Sequence, residues 1–239
     1  MFNHAHFWFL GLLLYFYFFV GLLQALRPNW LQKAATPVPP SASFFCCFTL
    51  LCSAAFFTPT LFLPADTWFS KLYIVSFQPA RLGICFLYFL LGLHGWRHSW
   101  FAPASAYRPS LRNWLLLAVP ATLLFTLYRL GLPAAPTVLF KAGHALLHSI
   151  FCLSLFMTLL CLFQRYLNSS SVIWRNLAAS SYAIYILHQL IVLPVAYTVQ
   201  KWNFPVLPKY LLVCAVCLLL CCAAGYAATR LLARLPKQG

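Results

Sequence analysis

Seven mostly apolar runs divide this sequence, each close to the ~20 residues a helix needs to cross a hydrocarbon core. They are Phe7–Leu26, Ser43–Leu63, Pro79–Trp96, Asn113–Leu130, Lys141–Phe163, Ala178–Val199 and Leu207–Leu232. The only backbone solution for such runs is a helix, because lipid offers no partner for an N–H or C=O. The breaks carry helix-stopping residues. Pro37, Pro39 and Pro40 follow the first run, and Pro59 and Pro64 are expected to end the second. Pro133 and Pro136 separate the fourth from the fifth, and Pro205 and Pro208 precede the last. Trp8, Trp30, Trp96, Trp100, Trp114, Trp174 and Trp202 fall near run ends, as interfacial belts do, while Trp68 lies in a loop. The expected fold is an all-α polytopic membrane protein of seven transmembrane helices, residues 1–239 forming one domain.

Charge decides what chemistry such a bundle can host. The chain has 239 residues with only 7% charged, and its sixteen Lys and Arg face a single acid, Asp66. One acid supplies neither a carboxylate pair for glycosidase or aspartyl-protease work nor an oxygen cage for Ca²⁺ or Mg²⁺. A proton-coupled carrier would want acids inside the membrane. The basic residues are scattered between apolar runs with no Lys/Arg block, which argues against nucleic acid. They read instead as a topology signal. Arg27, Lys33, Arg97, Arg108, Arg112, Arg165, Arg175, Arg230, Arg234 and Lys237 share one side, and Lys71, Arg81, Arg129, Lys141, Lys201 and Lys209 share the other with Asp66. The first group is larger, so it is assigned to the cytoplasm together with the C-terminus. Seven spans then put the N-terminus outside. No charged segment precedes the first run, so no cleavable signal peptide is expected. The ten cysteines all lie in apolar runs and read as small buried hydrophobes. Cys214 and Cys217 have a zinc-like spacing, but hydrated Zn²⁺ would have to enter lipid to reach them.

With acids so scarce, acid–base work near neutral pH falls to histidine. His188 is the most informative. With a span starting near Ala178 it lies about 15 Å deep, beside Gln189, and Ser181, Tyr185 and His188 share a helical face at i, i+4, i+7. A His-Gln pair at that depth either lines a wet cavity or makes an interhelical hydrogen bond that fixes packing. Lys141, His144 and His148 form a second stripe at i, i+3, i+7. The two histidines have the spacing of metal ligands on one helix, but a third ligand is lacking, and no metal is assigned. A polar cavity wall and ordinary interfacial anchoring both remain open for them. On the cytoplasmic side, Arg97, His98, Arg108 and Arg112 either meet the phosphates of a nucleotide-like donor or serve topology and anionic lipid.

Several stretches carry a family likeness. Ser180-Ser181-Tyr182-Ala183-Ile184-Tyr185-Ile186-Leu187-His188-Gln189 resembles the penultimate-helix signature of the acyltransferase-3 family of integral membrane O-acyltransferases. His6-Phe7-Trp8-Phe9-Leu10-Gly11-Leu12-Leu13 is similar to its His-x-Trp-Phe-Leu-x-x-Leu helix, and Phe86-Leu87-Tyr88-Phe89-Leu90-Leu91-Gly92-Leu93 to its Phe-x-x-Gly helix ending. Gln164-Arg165-Tyr166-Leu167-Asn168 resembles the branch of the glucan biosynthesis protein C type.

The resemblance implies a ten-helix bundle in the bacterial inner (plasma) membrane. Such a protein transfers an acyl group from a cytoplasmic, acyl-CoA-like donor to a hydroxyl of an extracytoplasmic glycan or glycolipid, with no resident cofactor. Its partners are membrane lipids, the donor and the sugar acceptor. In this picture Ser181, Tyr185, His188, Gln189, Lys141, His144 and His148 line the tunnel, and Arg97, His98, Arg108 and Arg112 meet the donor. The family's catalytic first-helix histidine, with a basic residue before it, has no counterpart; His4 and His6 lack that neighbour. The seven runs match the last seven helices of ten. The chain is therefore expected to be the C-terminal part of such an enzyme, with a missing N-terminal fragment as a partner. The alternatives are a non-enzymatic lipid or isoprenoid carrier and an inactive remnant.

Overall fold

The computed structural model of the protein describes residues 8–29, 31–32, 38–71, 75–100, 105, 107–131, 133, 136–167 and 171–234. His4 and His6 lie outside them, as do Trp30, Lys33, Asn168 and Lys237. Among the described residues seven α-helices follow in chain order: α1 (Trp8–Leu26), α2 (Ala42–Phe62), α3 (Pro79–Arg97), α4 (Leu111–Leu130), α5 (Val138–Leu162), α6 (Val172–Gln200) and α7 (Val206–Arg234). Six are long and apolar enough to span a membrane. The exception is α3, whose 19 residues include Arg81, His94 and Arg97. This is a polytopic helical protein, as the apolar runs require. The loop before α3 adds a short antiparallel pair, β1 (Phe69–Lys71) with β2 (Val75–Phe77).

The ends of the helices reflect the shortage of acids. No helix has an acidic residue in its first turn. Hydroxyls do the capping that Asp or Asn often does. Ser41, Ser110, Thr137 and Ser171 accept from the backbone N–H groups of Phe44, Asn113, Phe140 and Trp174. Pro79 sits in the first turn of α3, where the missing N–H has no helical partner to lose.

Three expectations shift. Pro59 lies inside α2 rather than at its end; membrane helices tolerate proline where neighbours re-satisfy the freed backbone. α6 begins at Val172, earlier than expected, because Ser171 caps it. Trp100 is buried at 4% exposure, its indole N–H donating to Val38 O at 2.9 Å, so it packs as core rather than facing an interface.

The chain forms two units, Met1–Arg165 and Tyr166–Gly239. In the first, α2 packs on α3 and α5, and α4 packs on α5. Helices in lipid gain from close approach of small residues, and the buried face of α5 is rich in them: Ala145, Ser149, Ser154, Thr158 and Cys161. The hydroxyls of Ser149 and Thr158 donate to the carbonyls four residues back, at 2.9 and 2.7 Å, so neither hydroxyl is stranded. α1 meets α3 through Phe16, whose ring lies 5.2 and 5.5 Å from Phe86 and Phe89. On α4 the apolar side chains of Leu116, Val119, Leu123 and Leu127 stay exposed along one helical stripe, the face a lipid solvent takes.

The second unit is the pair α6 and α7. Gly225 permits their contact: a Cβ there would sit 2.6 Å from Ile184 Cγ1.

Candidate functional site

One group of polar residues in the first unit gathers where the C-terminal ends of α2 and α4 meet the N-terminal ends of α3 and α5. Asp66 lies in the loop after α2. Its Oδ2 accepts from Arg129 Nη2 at 2.8 Å, and its Oδ1 lies 3.5 Å from Arg81 Nη2. Arg129 comes from the last turn of α4 and Arg81 from the first turn of α3. The hydrogen bond from Arg129, aided by the charges of both arginines, holds the Asp66 carboxyl below its usual range although partial burial opposes this. Asp66 stays ionised and keeps two cations side by side.

Around this ion pair lie two adjoining chambers of about 340 and 470 Å³, which share Ala65, Asp66, Arg129 and His144. Lys141, one turn before His144, donates through Nζ to Thr60 O at 2.7 Å. That carbonyl belongs to the last turn of α2, whose C=O groups have no helical donor, and a cation is favoured there. Thr60 and Lys141 thereby tie α2 to α5 at the mouth of the cleft.

Deeper in, His144 and His148 form a ring stack with Phe56 of α2 and Phe125 of α4. Phe56 lies 4.6 Å from His148, and Phe125 lies 5.6 Å from each histidine. His144 is only 7% exposed, and among the described residues its Nε2 has no hydrogen-bond partner. Next along the wall, Cys152 Sγ lies 3.7 Å from His148 Nε2. Gly143 makes room for this arrangement: a Cβ on it would fall 2.5 Å from Tyr128 Oη, the hydroxyl that donates to Phe140 O.

Lys141, His144 and His148 lie along α5, Lys141 and His144 at the first chamber and His144 and His148 at the second. What the sequence reading missed is their company, Asp66, Arg81, Arg129, Phe56, Phe125 and Cys152. The sequence carries a signal for this: Asp66, Arg81, Arg129 and Lys141 all fall at or next to run ends on one side. Among the described residues no three of His, Cys, Asp and Glu gather as a metal cage would require.

The other end of α2 and α3 holds a second cleft of about 350 Å³, lined by Phe44, Phe48, Leu87, Leu91, His94 and Arg97 among others. Arg97 Nε donates to Gln32 O at 3.2 Å, and His98 Nδ1 accepts from the Val38 N–H at 3.3 Å. His94 stacks on Phe44 at 5.3 Å and meets His98 at 4.5 Å. Arg108 and Arg112 are exposed and do not line this cleft. Between the two clefts runs the interior of α2, α3 and α5, where the buried Tyr88 Oη also lacks a partner among the described residues. Its ring lies 5.3 Å from Phe48.

In the second unit, the His188 Nδ1 is hydrogen-bonded to Tyr185 O on its own helix, and the two rings lie 5.6 Å apart. Tyr185, His188 and Gln189 are half-buried. Ser181 is exposed and donates to Ala178 O at 2.8 Å. The Gln164–Leu167 stretch forms most of a π-helical turn, Phe163–Leu167.

A family model described as an acyltransferase domain, that of acyltransferase-3, matches residues 2–226. Neither the curated proteins nor the solved structures give a significant match to the chain.

Proposed function

The chain belongs to the acyltransferase-3 family and is a multi-pass membrane protein, and on that premise we propose that it is an O-acyltransferase moving an acyl group across the membrane. The donor is an acyl-CoA-like thioester on the cytoplasmic side, and the acceptor is a hydroxyl of an extracytoplasmic glycan or glycolipid. The host membrane is the bacterial inner membrane, with the C-terminus in the cytoplasm, and the branch is the glucan biosynthesis protein C type. No resident cofactor is needed for the transfer: the acceptor oxygen forms a bond to the acyl carbonyl carbon, the carbon–sulfur bond breaks, and the acceptor's proton ends on the released thiol.

The observation that carries this reading is the pair of clefts at opposite ends of α2 and α3, with unpartnered buried polar atoms at His144 Nε2 and Tyr88 Oη. Buried polar groups without partners are costly, so this interior suits a ligand that brings polar atoms with it. In our reading the cleft holding Arg97 receives the donor. The Asp66 cleft receives the acceptor, whose hydroxyl hydrogen-bonds His144 Nε2. Phe48 on one side and Phe56 on the other are eight residues apart on α2, about 12 Å, a span that an extended thioester arm covers. His188, Gln189, Tyr185 and Ser181 of α6 are assigned as tunnel-lining residues of the second unit.

The test uses membranes containing the full chain, supplied with acyl-labelled CoA thioester. Label is expected in a hydroxylamine-labile ester of a glycan or glycolipid. No ester beyond that in membranes lacking the chain would refute the proposal.

A further inference from the structure

The Asp66 cleft holds more positive charge than its carboxylate balances. Arg81, Arg129 and Lys141 line its chambers against one acid. The ion pairs use only one Nη2 of each guanidinium, and Lys141 directs one of its three N–H bonds to Thr60 O. The arginine and aspartate side chains remain between 42% and 56% exposed, so a solute reaches them. His144 lines the same space.

We propose that this cleft is a binding site for a phosphate ester. Its oxyanion sits among Arg81, Arg129 and Lys141. A single carboxylate would repeat the charge that Asp66 already supplies. A phosphate brings about two negative charges at neutral pH and several acceptor oxygens. That suits guanidinium forks, which bind phosphate in a planar two-bond mode, together with a lysine point charge. The remaining walls are apolar, with Leu61, Phe62, Pro64 and Phe140, so the ester fits best on a lipid or another apolar body. The inference deepens the acceptor half of the acyl-transfer reading. It rests on that reading for the ligand's part in the reaction, while binding itself is measured without any donor.

Purified full chain in detergent is titrated calorimetrically with dioctanoyl phosphatidic acid, dioctanoylglycerol and inorganic phosphate. Saturable binding of the phosphatidic acid and none of the glycerol is expected. The R81Q/R129Q double variant is expected to bind at least about tenfold more weakly, since each charge-assisted contact is of that order. Inorganic phosphate that competes with the lipid, but binds more weakly, identifies a headgroup site. Inorganic phosphate that binds as well as the lipid identifies a free-phosphate site of the same chemistry. Asp66→Asn keeps both arginines and removes the competing carboxylate, so it is expected to tighten binding even if the double variant fails to fold. Equal binding of phosphatidic acid and the glycerol, wild-type affinity in R81Q/R129Q, or lost binding in a folded D66N protein would overturn the site. Phosphatidic acid binding without ester formation would count against the acyl-transfer reading alone.

Discussion

Arg129 Nη2 donates a 2.8 Å hydrogen bond to Asp66 Oδ2 across 63 positions of sequence, joining the end of α4 to the loop that follows α2. The only acidic side chain of the sequence is thus committed to a tertiary contact, and Arg81 flanks it.

The pH dependence of this contact has a definite sign. The folded-state pKa of Asp66 is lowered, chiefly by the Arg129 hydrogen bond. Its stabilisation is therefore full above the unfolded carboxylate value of about 3.9 and is lost as pH falls through the lower folded value. Thermal unfolding of wild type and D66N in detergent should differ near neutral pH by no more than about 1 kcal/mol, since the pair is half exposed. The two curves should converge in acid below the ordinary carboxylate range.

Lys141 satisfies a carbonyl that the end of α2 leaves open. Lys141→Met keeps the apolar stem and removes the donor, so a loss of about 1–2 kcal/mol in unfolding free energy is expected. Lys141→Arg should recover most of it. Unfolding midpoints of the three proteins in one detergent check this.

At Gly143 the space for a methyl group is already filled by Tyr128 Oη, 2.5 Å from where the Cβ would stand. Gly143→Ala should destabilise by about 1–3 kcal/mol through overpacking. Tyr128→Phe removes the obstructing oxygen, and the nearest ring atom then lies 3.2 Å away. The alanine should therefore cost less in the Y128F background than in wild type. A double-mutant cycle of unfolding free energies measures that coupling.

The helices were legible in the sequence because a membrane leaves the backbone one choice and apolar length states it directly. Lys141, His144 and His148 were legible as a stripe because helical spacing fixes a face. Their partners were not, since nothing local in the sequence says that α2 and α4 would each send a phenylalanine, Phe56 and Phe125, against α5. Asp66 was conspicuous as the lone acid, yet its role depends on two arginines 15 and 63 positions away. Pro59 misled for a different reason. In water it would end a helix, whereas α2 continues to Phe62, and the Leu63 N–H closes back onto Pro59 O at 3.0 Å.

The most direct test of the account compares ester formation by wild type and His144→Phe, which keeps a ring in the stack with Phe56 and Phe125 and removes the unpartnered Nε2. Proteoliposomes of each receive labelled acyl-CoA and an extract of glycan and glycolipid acceptors, and unfolding midpoints are measured in parallel. Transfer of label to a hydroxylamine-labile ester is predicted for wild type, with the rate lowered at least about tenfold in H144F at an unchanged midpoint. Equal rates in the two proteins, or no ester from wild type, would contradict the assignment of this cleft to acyl transfer.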